Sequence, residues 1–136
     1  MKIVLDEKAL MPERAHETDA GLDLKSTVTV LIPKGGSETI DTGVHIALPS
    51  GTVGLIKSRS GLNVKYGIQS EGVIDEGYTG SIRVKLYNHG PQPYMVQRGE
   101  KISQLVILPC VKPELEVVGS LTGTERGNGG FGSTGR

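Results

Sequence analysis

The C-terminal end of the chain combines glycines with residue types that bind anions and flat rings. Residues 126–136 read RGNGGFGSTGR. Glycine lets consecutive backbone N–H groups converge on a phosphate, Ser133 and Thr134 add hydroxyl donors, and Arg126 adds a bidentate cation. Phe131 is the only Phe of the chain and supplies an apolar ring face. Phosphate-binding groups beside an aromatic ring indicate a nucleotide ligand.

The spacing of the terminal glycines limits the ways in which this segment could bind a nucleotide. Gly127, Gly129 and Gly132 match the dinucleotide-binding fingerprint, which requires a following helix to receive the pyrophosphate. Only four residues follow Gly132, so that helix cannot form. We therefore expect a lid that closes over a ligand seated elsewhere, with a flexible Gly-rich tail as the alternative.

Two further positions offer polar groups to a phosphate. Arg59, Ser60 and Gly61 follow an apolar stretch that ends at residue 57, and together they supply a cation, a hydroxyl and a permissive glycine. The alternative is a polar strand-to-helix turn in which Ser60 caps the helix. Gln104 interrupts the apolar run 102–108, so its amide either bonds neighbouring backbone or reaches a ligand.

Two aspartates are candidates for the chemistry itself. Asp75 follows two apolar residues at the mouth of a Gly-rich turn, where an ionised carboxylate can orient water for attack on phosphorus. Tyr78 lies three residues further on and could present its ring to a sugar. Asp23 stands on the polar face of an alternating stretch. The alternatives are a hairpin in which Asp75 bonds its own turn, and a solvated strand face for Asp23.

Composition limits the partners and the compartment. Fifteen basic residues balance fifteen acidic ones, so we expect neither nucleic acid nor an anionic membrane as a partner. The sole cysteine, Cys110, fits a reducing compartment, and no apolar run approaches the ~20 residues that cross a bilayer. The three histidines are too scattered for a metal cage, so a participating cation would be Mg²⁺ carried by phosphates. We expect a cytoplasmic protein.

Alternating apolar and polar residues dominate the chain and predict an all-β fold, a sandwich or barrel of one domain. The alternation is clearest over residues 22–32 and 40–48, and one short helix is predicted at residues 60–66. Further strands are predicted at residues 52–57, 81–87, 102–108 and 115–118. These elements would hold the candidate residues at strand ends and turns.

Five segments, taken in order, closely resemble the five motifs of the homotrimeric dUTPases (deoxyuridine 5′-triphosphate nucleotidohydrolases). They are AGLDL (20–24), KSRSGL (57–62), GVIDEGYTG (72–80), RGEKISQLV (98–106) and RGNGGFGSTG (126–135). The resemblance implies a jelly-roll-like β-sandwich over residues 1–121 and a flexible arm over residues 122–136. It further implies a homotrimer in which the arm of one subunit closes an active site built by the other two.

The same resemblance implies the reaction and the residue roles. dUTP and water would give dUMP and pyrophosphate, with Asp75 as the general base and Asp23 holding Mg²⁺ through coordinated water. Tyr78 would lie under the deoxyribose, and Phe131 would stack on uracil. The phosphate-binding residues would be Arg59, Ser60, Gly61, Gln104, Arg126, Ser133 and Thr134. The base-binding residues would be Gly72, Val73, Ile74 and Gln69, the last standing where many bacterial members have Asn.

Two other functions remain open at this point. A dCTP deaminase shares the trimeric fold and a comparable Ser-Arg-Ser segment, although the relatives considered lack the Phe-containing arm. A non-enzymatic trimeric β-sandwich that kept the nucleotide pocket belongs to a different class, and some phage dUTPases are thought to act also through protein partners. The two enzymes differ in their products, because a deaminase releases ammonia and a dUTPase releases pyrophosphate.

Overall fold

The computed structural model describes residues 1–135, which contain ten strands and one short helix. The elements in chain order are β1 (Lys2–Leu5), β2 (Gly21–Lys25), β3 (Val30–Ile32), β4 (Ser37–Asp41), β5 (Val44–Ala47), β6 (Thr52–Lys57), α1 (Ser60–Tyr66), β7 (Ile68–Ile74), β8 (Arg83–Asn88), β9 (Tyr94–Val96) and β10 (Lys101–Pro109). Among these residues, no helix is long and apolar enough to cross a membrane.

Six strands form the main antiparallel sheet in the order β2-β10-β6-β7-β8-β4. Two-stranded sheets pair β1 with β5 and β3 with β9. The longest strand, β10, has nine residues and lies between β2 and β6. This arrangement is an all-β, jelly-roll-like fold, which confirms the expected fold class.

Alternation along the strands decides which side chains fill the core. In β8 the side chains of Val84 and Leu86 are fully buried, whereas those of the intervening residues face outward. The core is therefore built from branched aliphatic residues on the inward faces of the strands. Its members are Leu24, Ile32, Ile40, Val44, Ile46, Leu48, Ile56, Ile68, Ile74, Ile82, Val84, Leu86, Val96, Ile102 and Leu105.

The short helix α1 forms where it was predicted, but Ser60 does not cap it. Arg59 is the N-cap residue, with extended backbone and no side-chain capping hydrogen bond, and Ser60 begins the helix. The helix ends at Gly67, whose φ of 70° is the left-handed conformation that glycine adopts without strain. Arg59 therefore stands at the junction between β6 and α1.

One strand prediction was wrong. The alternating residues 22–32 do form strands, β2 and β3, and between them the Ser26 hydroxyl bonds the Val28 carbonyl at 2.7 Å. Residues 115–118 form no strand, and Leu115 and Val117 are 94% and 99% exposed. A strand needs a neighbour for its backbone groups, and no strand among residues 1–135 pairs with that segment. The arm predicted over residues 122–136 is described as far as residue 135.

Candidate functional site

Strand β10 places Gln104 between the two strands that carry candidate residues. Gln104 lies opposite Asp23 of β2 on one side and opposite Lys57 of β6 on the other. Its Nε2 donates to the Ser58 carbonyl at 3.0 Å, so the amide does bond neighbouring backbone. Gly21 leaves room for this side chain, because a Cβ at Gly21 would come within 2.3 Å of Gln104 Oε1.

Asp23 is buried between two cations. It is only 7% exposed, so the alternative of a solvated strand face is wrong. Its Oδ1 lies 3.3 Å from Arg59 Nε, and its Oδ2 lies 3.0 Å from Lys101 Nζ. A buried carboxylate is costly unless it is paired and hydrogen-bonded, and these two contacts provide that compensation.

The charge pairing continues outward from Lys101. Glu13 lies 3.2 Å from Lys101 Nζ and 3.1 Å from Lys25 Nζ. Hydrogen bonds from Lys25 and Lys101 hold the pKa of Glu13 below its ordinary value, and hydrogen bonds to Asp23 and Glu13 raise the pKa of Lys101. Both shifts favour the charged forms of Glu13 and Lys101.

Three serine hydroxyls lie beneath the turn from β6 to α1. Ser70 Oγ and Ser103 Oγ are 2.8 Å apart, and Ser103 Oγ also donates to the Lys57 carbonyl at 2.8 Å. Ser58 Oγ receives the Ser70 N–H at 2.9 Å and donates to the Ser70 carbonyl at 3.1 Å. This network joins the end of β6 to β7 and β10, and it includes Ser58, which directly precedes Arg59. It was not predicted, although serines at inward positions of apolar strands were a usable signal.

The candidate base, Asp75, lies at a cavity where two strands separate. The β7–β8 ladder ends at the pair Ser70–Leu86, whereas β7 continues its pairing with β6 as far as Ile74. One edge of residues 72–74 therefore has no ladder partner in the part of the chain that the structure describes. A cavity of about 220 Å³ occupies this gap, lined by Ile56, Gly72, Val73, Ile74, Asp75, Tyr78, Ser81, Ile82 and Arg83. Of these, Ile56, Ser81, Ile82 and Arg83 were not predicted as site residues.

The loop after Asp75 holds Tyr78 at the rim of this cavity. The Tyr78 N–H donates to the backbone carbonyl of Asp75 at 3.1 Å and not to its side chain. The exposed carboxylate of Asp75 therefore does not accept this hydrogen bond. Tyr78 Oη donates to the Ser81 carbonyl at 3.0 Å. The ring also packs on Gly80, where a Cβ would approach Oη to 2.5 Å. Tyr78 is 48% exposed, which presents one part of the ring to a ligand.

The predicted phosphate-binding residues of α1 line a second cavity. Arg59 and Gly61 contribute to a space of about 330 Å³ together with Lys65 and Lys101, and Ser60 is exposed at the start of the helix. Gln69 lies elsewhere, exposed on β7 opposite Tyr87, and does not line the cavity at Asp75. The predicted contact between Gln69 and a base thus gains no support from a single chain.

The residues of the arm form a third group. Arg126 Nε donates to the Gly129 carbonyl at 2.7 Å, and the Gly129 N–H returns a bond to the Arg126 carbonyl at 2.8 Å. With Ser133 and Thr134, these residues line a cavity of about 530 Å³ that shares no lining residue with the other two. Phe131 is fully exposed and has a φ of 44°. Within residues 1–135, the arm therefore lines no cavity together with Asp75 or Arg59.

The acidic and metal-ligating side chains do not form a metal cage. Within residues 1–135, no three His, Cys, Asp or Glu side chains are grouped closely enough to hold an ion. Both oxygens of Asp23 face cations, which fits an outer role toward a metal better than direct ligation.

Comparison with known sequences identifies relatives over nearly the whole chain. The dUTPase family model matches residues 7–135. The deoxyuridine 5′-triphosphate nucleotidohydrolase of Crocosphaera subtropica is 48% identical over 136 residues, covering 98% of this chain and 96% of the relative. The protein of the same name from Clostridium acetobutylicum is 46% identical over 134 residues, covering 96% and 92%.

Solved structures extend the similarity to three dimensions. A dUTPase variant of Staphylococcus bacteriophage 80alpha with dUpNHpp superimposes with a TM-score of 0.93 at 33% identity, covering 99% of this chain and 98% of that one. A dUTPase variant from phage phi11 of S. aureus, described with a structural Mg(II) ion, has a TM-score of 0.81 at 33% identity. That comparison covers 88% of this chain and 96% of the phage protein.

Removing one hydroxyl from the network of Ser58, Ser70 and Ser103 is predicted to lower the stability of the fold measurably. Ser103→Ala should lower the free energy of unfolding by about 1 to 3 kcal/mol, because it leaves the buried Ser70 hydroxyl and the Lys57 carbonyl without their partner. Urea unfolding measures this difference. Ser120→Ala changes the same chemistry at an exposed position and should have little effect. Equal stabilities for the two variants would contradict the network's role.

Proposed function

This chain belongs to the dUTPase family, and we propose that it hydrolyses dUTP to dUMP and pyrophosphate. The observation that carries the proposal is the cavity at the separated strands β7 and β8, where Asp75, Tyr78 and an open backbone edge converge. The activity would limit uracil incorporation into DNA and supply dUMP for dTTP synthesis, and we place it in the cytoplasm. The neighbour from phage 80alpha binds dUpNHpp, an analogue of dUTP, which supports this substrate.

The open edge of β7 suits a base that pairs with backbone. Residues 72–74 have their ladder bonds to β6 on one side and face the cavity on the other. Uracil offers donors and acceptors along one edge, and backbone N–H and C=O groups complement such an edge. The limited volume of the slot would exclude the methyl group of thymine. Tyr78 at the rim would pack under the deoxyribose and leave no room for a 2′-hydroxyl.

Asp75 would supply the proton acceptor. An exposed aspartate is ionised at neutral pH and can hold a water molecule by accepting its hydrogen bond. As the water oxygen forms its bond to the α-phosphorus, its proton passes to Asp75 and the bond to the bridging oxygen breaks, releasing pyrophosphate. Positioning and charge neutralisation supply most of the rate in such transfers.

The charged turn between β6 and α1 would bind the phosphates. Arg59, Ser60 and Gly61 offer a guanidinium, a hydroxyl and a backbone N–H, and Gln104 is held beside them by Ser58. We assign Mg²⁺ to the triphosphate, with Asp23 reaching it through coordinated water. The ion would neutralise phosphate charge during transfer. The pairing of Asp23 with Arg59 and Lys101 supports this indirect role.

The separation of the three residue groups supports a homotrimer with shared sites. In one chain, Asp75, Arg59 and Arg126 line three different cavities. In the proposed assembly, a folded domain of residues 1–121 from each of two subunits would contribute the first two groups. The arm of the third subunit, residues 122–136, would close the site, with Phe131 on uracil and Arg126, Ser133 and Thr134 on the terminal phosphate.

A nucleotide panel tests the proposed function. The protein should release pyrophosphate from dUTP and should turn over dTTP, dCTP and UTP far more slowly. The slot rejects the methyl group of thymine, the tyrosine rejects the 2′-hydroxyl of UTP, and the 4-amino group and unprotonated N3 of cytosine do not match a backbone edge that pairs with uracil. Each nucleotide is assayed for pyrophosphate and ammonia, with and without Mg²⁺. Ammonia released from dCTP would identify a deaminase instead, and absence of turnover would favour a binding protein.

Asp75→Asn tests the base assignment. The variant should bind dUpNHpp with nearly normal affinity but lose turnover by about a thousandfold, because the amide keeps the shape and cannot accept the proton. Titration calorimetry measures the affinity, and single-turnover kinetics measure the chemical step. Glu17→Gln neutralises an exposed loop carboxylate and should behave as the unaltered protein. A nearly normal rate for Asp75→Asn would remove Asp75 from this role.

Removal of residues 126–136 tests the lid and the shared site together. The shortened chain should keep its fold and assembly but lose turnover, because the pocket stays open to water. Light scattering and circular dichroism check assembly and fold. Co-expression with Asp75→Asn chains should restore part of the activity, because mixed trimers contain sites with an intact arm and an intact base. Normal kinetics in the shortened chain would refute the lid.

A further inference from the structure

His45 of β5 connects the loop that carries Tyr78 to the N-terminal part of the chain. Its Nδ1 lies 2.8 Å from the Thr79 carbonyl, and its Nε2 lies 3.2 Å from the Asp6 carboxylate. Asp6 directly follows β1, which is the partner of β5 in the small sheet. The imidazole therefore ties this small sheet to the loop behind the proposed sugar site.

The two contacts of the ring require two protons. A carbonyl oxygen and a carboxylate are acceptors, so each ring nitrogen must carry a hydrogen to bond its partner. The neutral ring has one N–H and can bond only one of the two. The contact with the Thr79 carbonyl, followed by that with Asp6, raises the pKa of His45 above its ordinary value.

The surrounding charges favour the imidazolium. Asp41 at the end of β4 adds a second negative group and is itself 3.5 Å from Arg83 of β8. Lys2 of β1 lines the same mainly apolar cavity as His45 and is the cation on that side. The two carboxylates and the carbonyl together outweigh this cation, which agrees with the direction of the shift.

The position of Thr79 bears directly on Tyr78. The two residues are consecutive, and the Tyr78 ring packs on Gly80 and bonds the Ser81 carbonyl, on the other side of Thr79. A shift of the Thr79 carbonyl would therefore move the ring at the rim of the cavity. Ser81 is held separately, because its hydroxyl donates a hydrogen bond to Asp41. The contact of this loop that changes when His45 gains or loses a proton is therefore the one at the Thr79 carbonyl.

We propose that His45 is a positioning residue whose imidazolium holds the Thr79 carbonyl and thereby sets Tyr78 against the sugar, which governs discrimination between deoxyribose and ribose. The inference rests on the proposed function and names a residue outside the five motifs. It concerns the choice between dUTP and UTP, since ribose differs only by the 2′-hydroxyl that Tyr78 would exclude.

The sign of the pH dependence follows from the raised pKa. A group whose folded pKa exceeds its unfolded value contributes fully below the unfolded pKa, and its contribution is lost as pH rises through the folded pKa. In mild acid both ring nitrogens carry a hydrogen and both bonds form. In alkali the neutral ring keeps one N–H, which bonds Asp6 because a carboxylate is a stronger acceptor than a carbonyl, and the bond to the Thr79 carbonyl is lost. Discrimination against UTP should therefore decline as the pH rises.

Two amide variants separate the contacts of the ring. Asn places its amide nitrogen near the position of Nδ1, and Gln places it near that of Nε2. His45→Asn should thus keep the bond to Thr79 at every pH, and His45→Gln should keep only the bond to Asp6. We expect His45→Gln to lower the dUTP/UTP ratio of kcat/KM about tenfold in mild acid, and His45→Asn to retain the ratio without pH dependence.

The test measures this ratio from about pH 6 to about pH 9 for the unaltered protein and both variants. The unaltered protein should fall from the level of His45→Asn toward that of His45→Gln, and Asp6→Asn should move the midpoint to lower pH. His16→Gln, at an exposed histidine, is the control. Thermal unfolding confirms that all variants are folded.

A ratio that is independent of pH and equal in all variants would overturn the positioning role while leaving dUTP hydrolysis intact. Equal losses in His45→Asn and His45→Gln would also overturn it, because the bond to Thr79 would then not be the determinant. Absence of dUTP turnover in the unaltered protein would instead overturn the proposed function and this inference with it.

Discussion

The pairing of β10 with two neighbours is the constraint on which the charged site depends. Its first part pairs with β2 and its second with β6, and around Gln104 the three strands lie side by side. This register brings Asp23 of β2 toward Arg59, which follows β6, and Lys101 begins β10 itself. Backbone hydrogen bonds between β2 and β10 therefore fix the buried carboxylate near Lys101, and the second cation, Arg59, comes from the short connection between β6 and α1.

The pairing of these cations with carboxylates reduces the positive charge that they offer to a triphosphate. The charges of Arg59 and Lys101 are partly balanced by Asp23 and Glu13, and the whole chain has a formal net charge of zero. The folded domain alone thus offers limited excess positive charge to a polyanion. Under the proposed function, Mg²⁺ on the phosphates and Arg126 of the arm would add the positive charge.

Local sequence patterns predicted individual strands and the helix. The contacts that they did not predict depend on the register between strands that are distant in the sequence. Alternation identified the buried faces of β8, and the helix at residues 60–66 was correct because its turn signals lie within a few residues. The contact between Asp23 and Lys101 depends on the β2–β10 register, which neither segment encodes alone. Residues 115–118 alternate like a strand but form none and are exposed, because an alternating pattern does not ensure that a neighbouring strand is present.

The exposed apolar residues after β10 and the open edge of β7 share one physical origin. A strand edge or an apolar side chain exposed to water is costly unless another surface covers it. In one chain, Val117 and Phe131 have no cover, and residues 72–74 have one unpaired edge. A ligand that pairs with the β7 edge and an arm that folds over it would remove both costs in one step. Ordering of the arm is therefore expected to accompany binding rather than precede it.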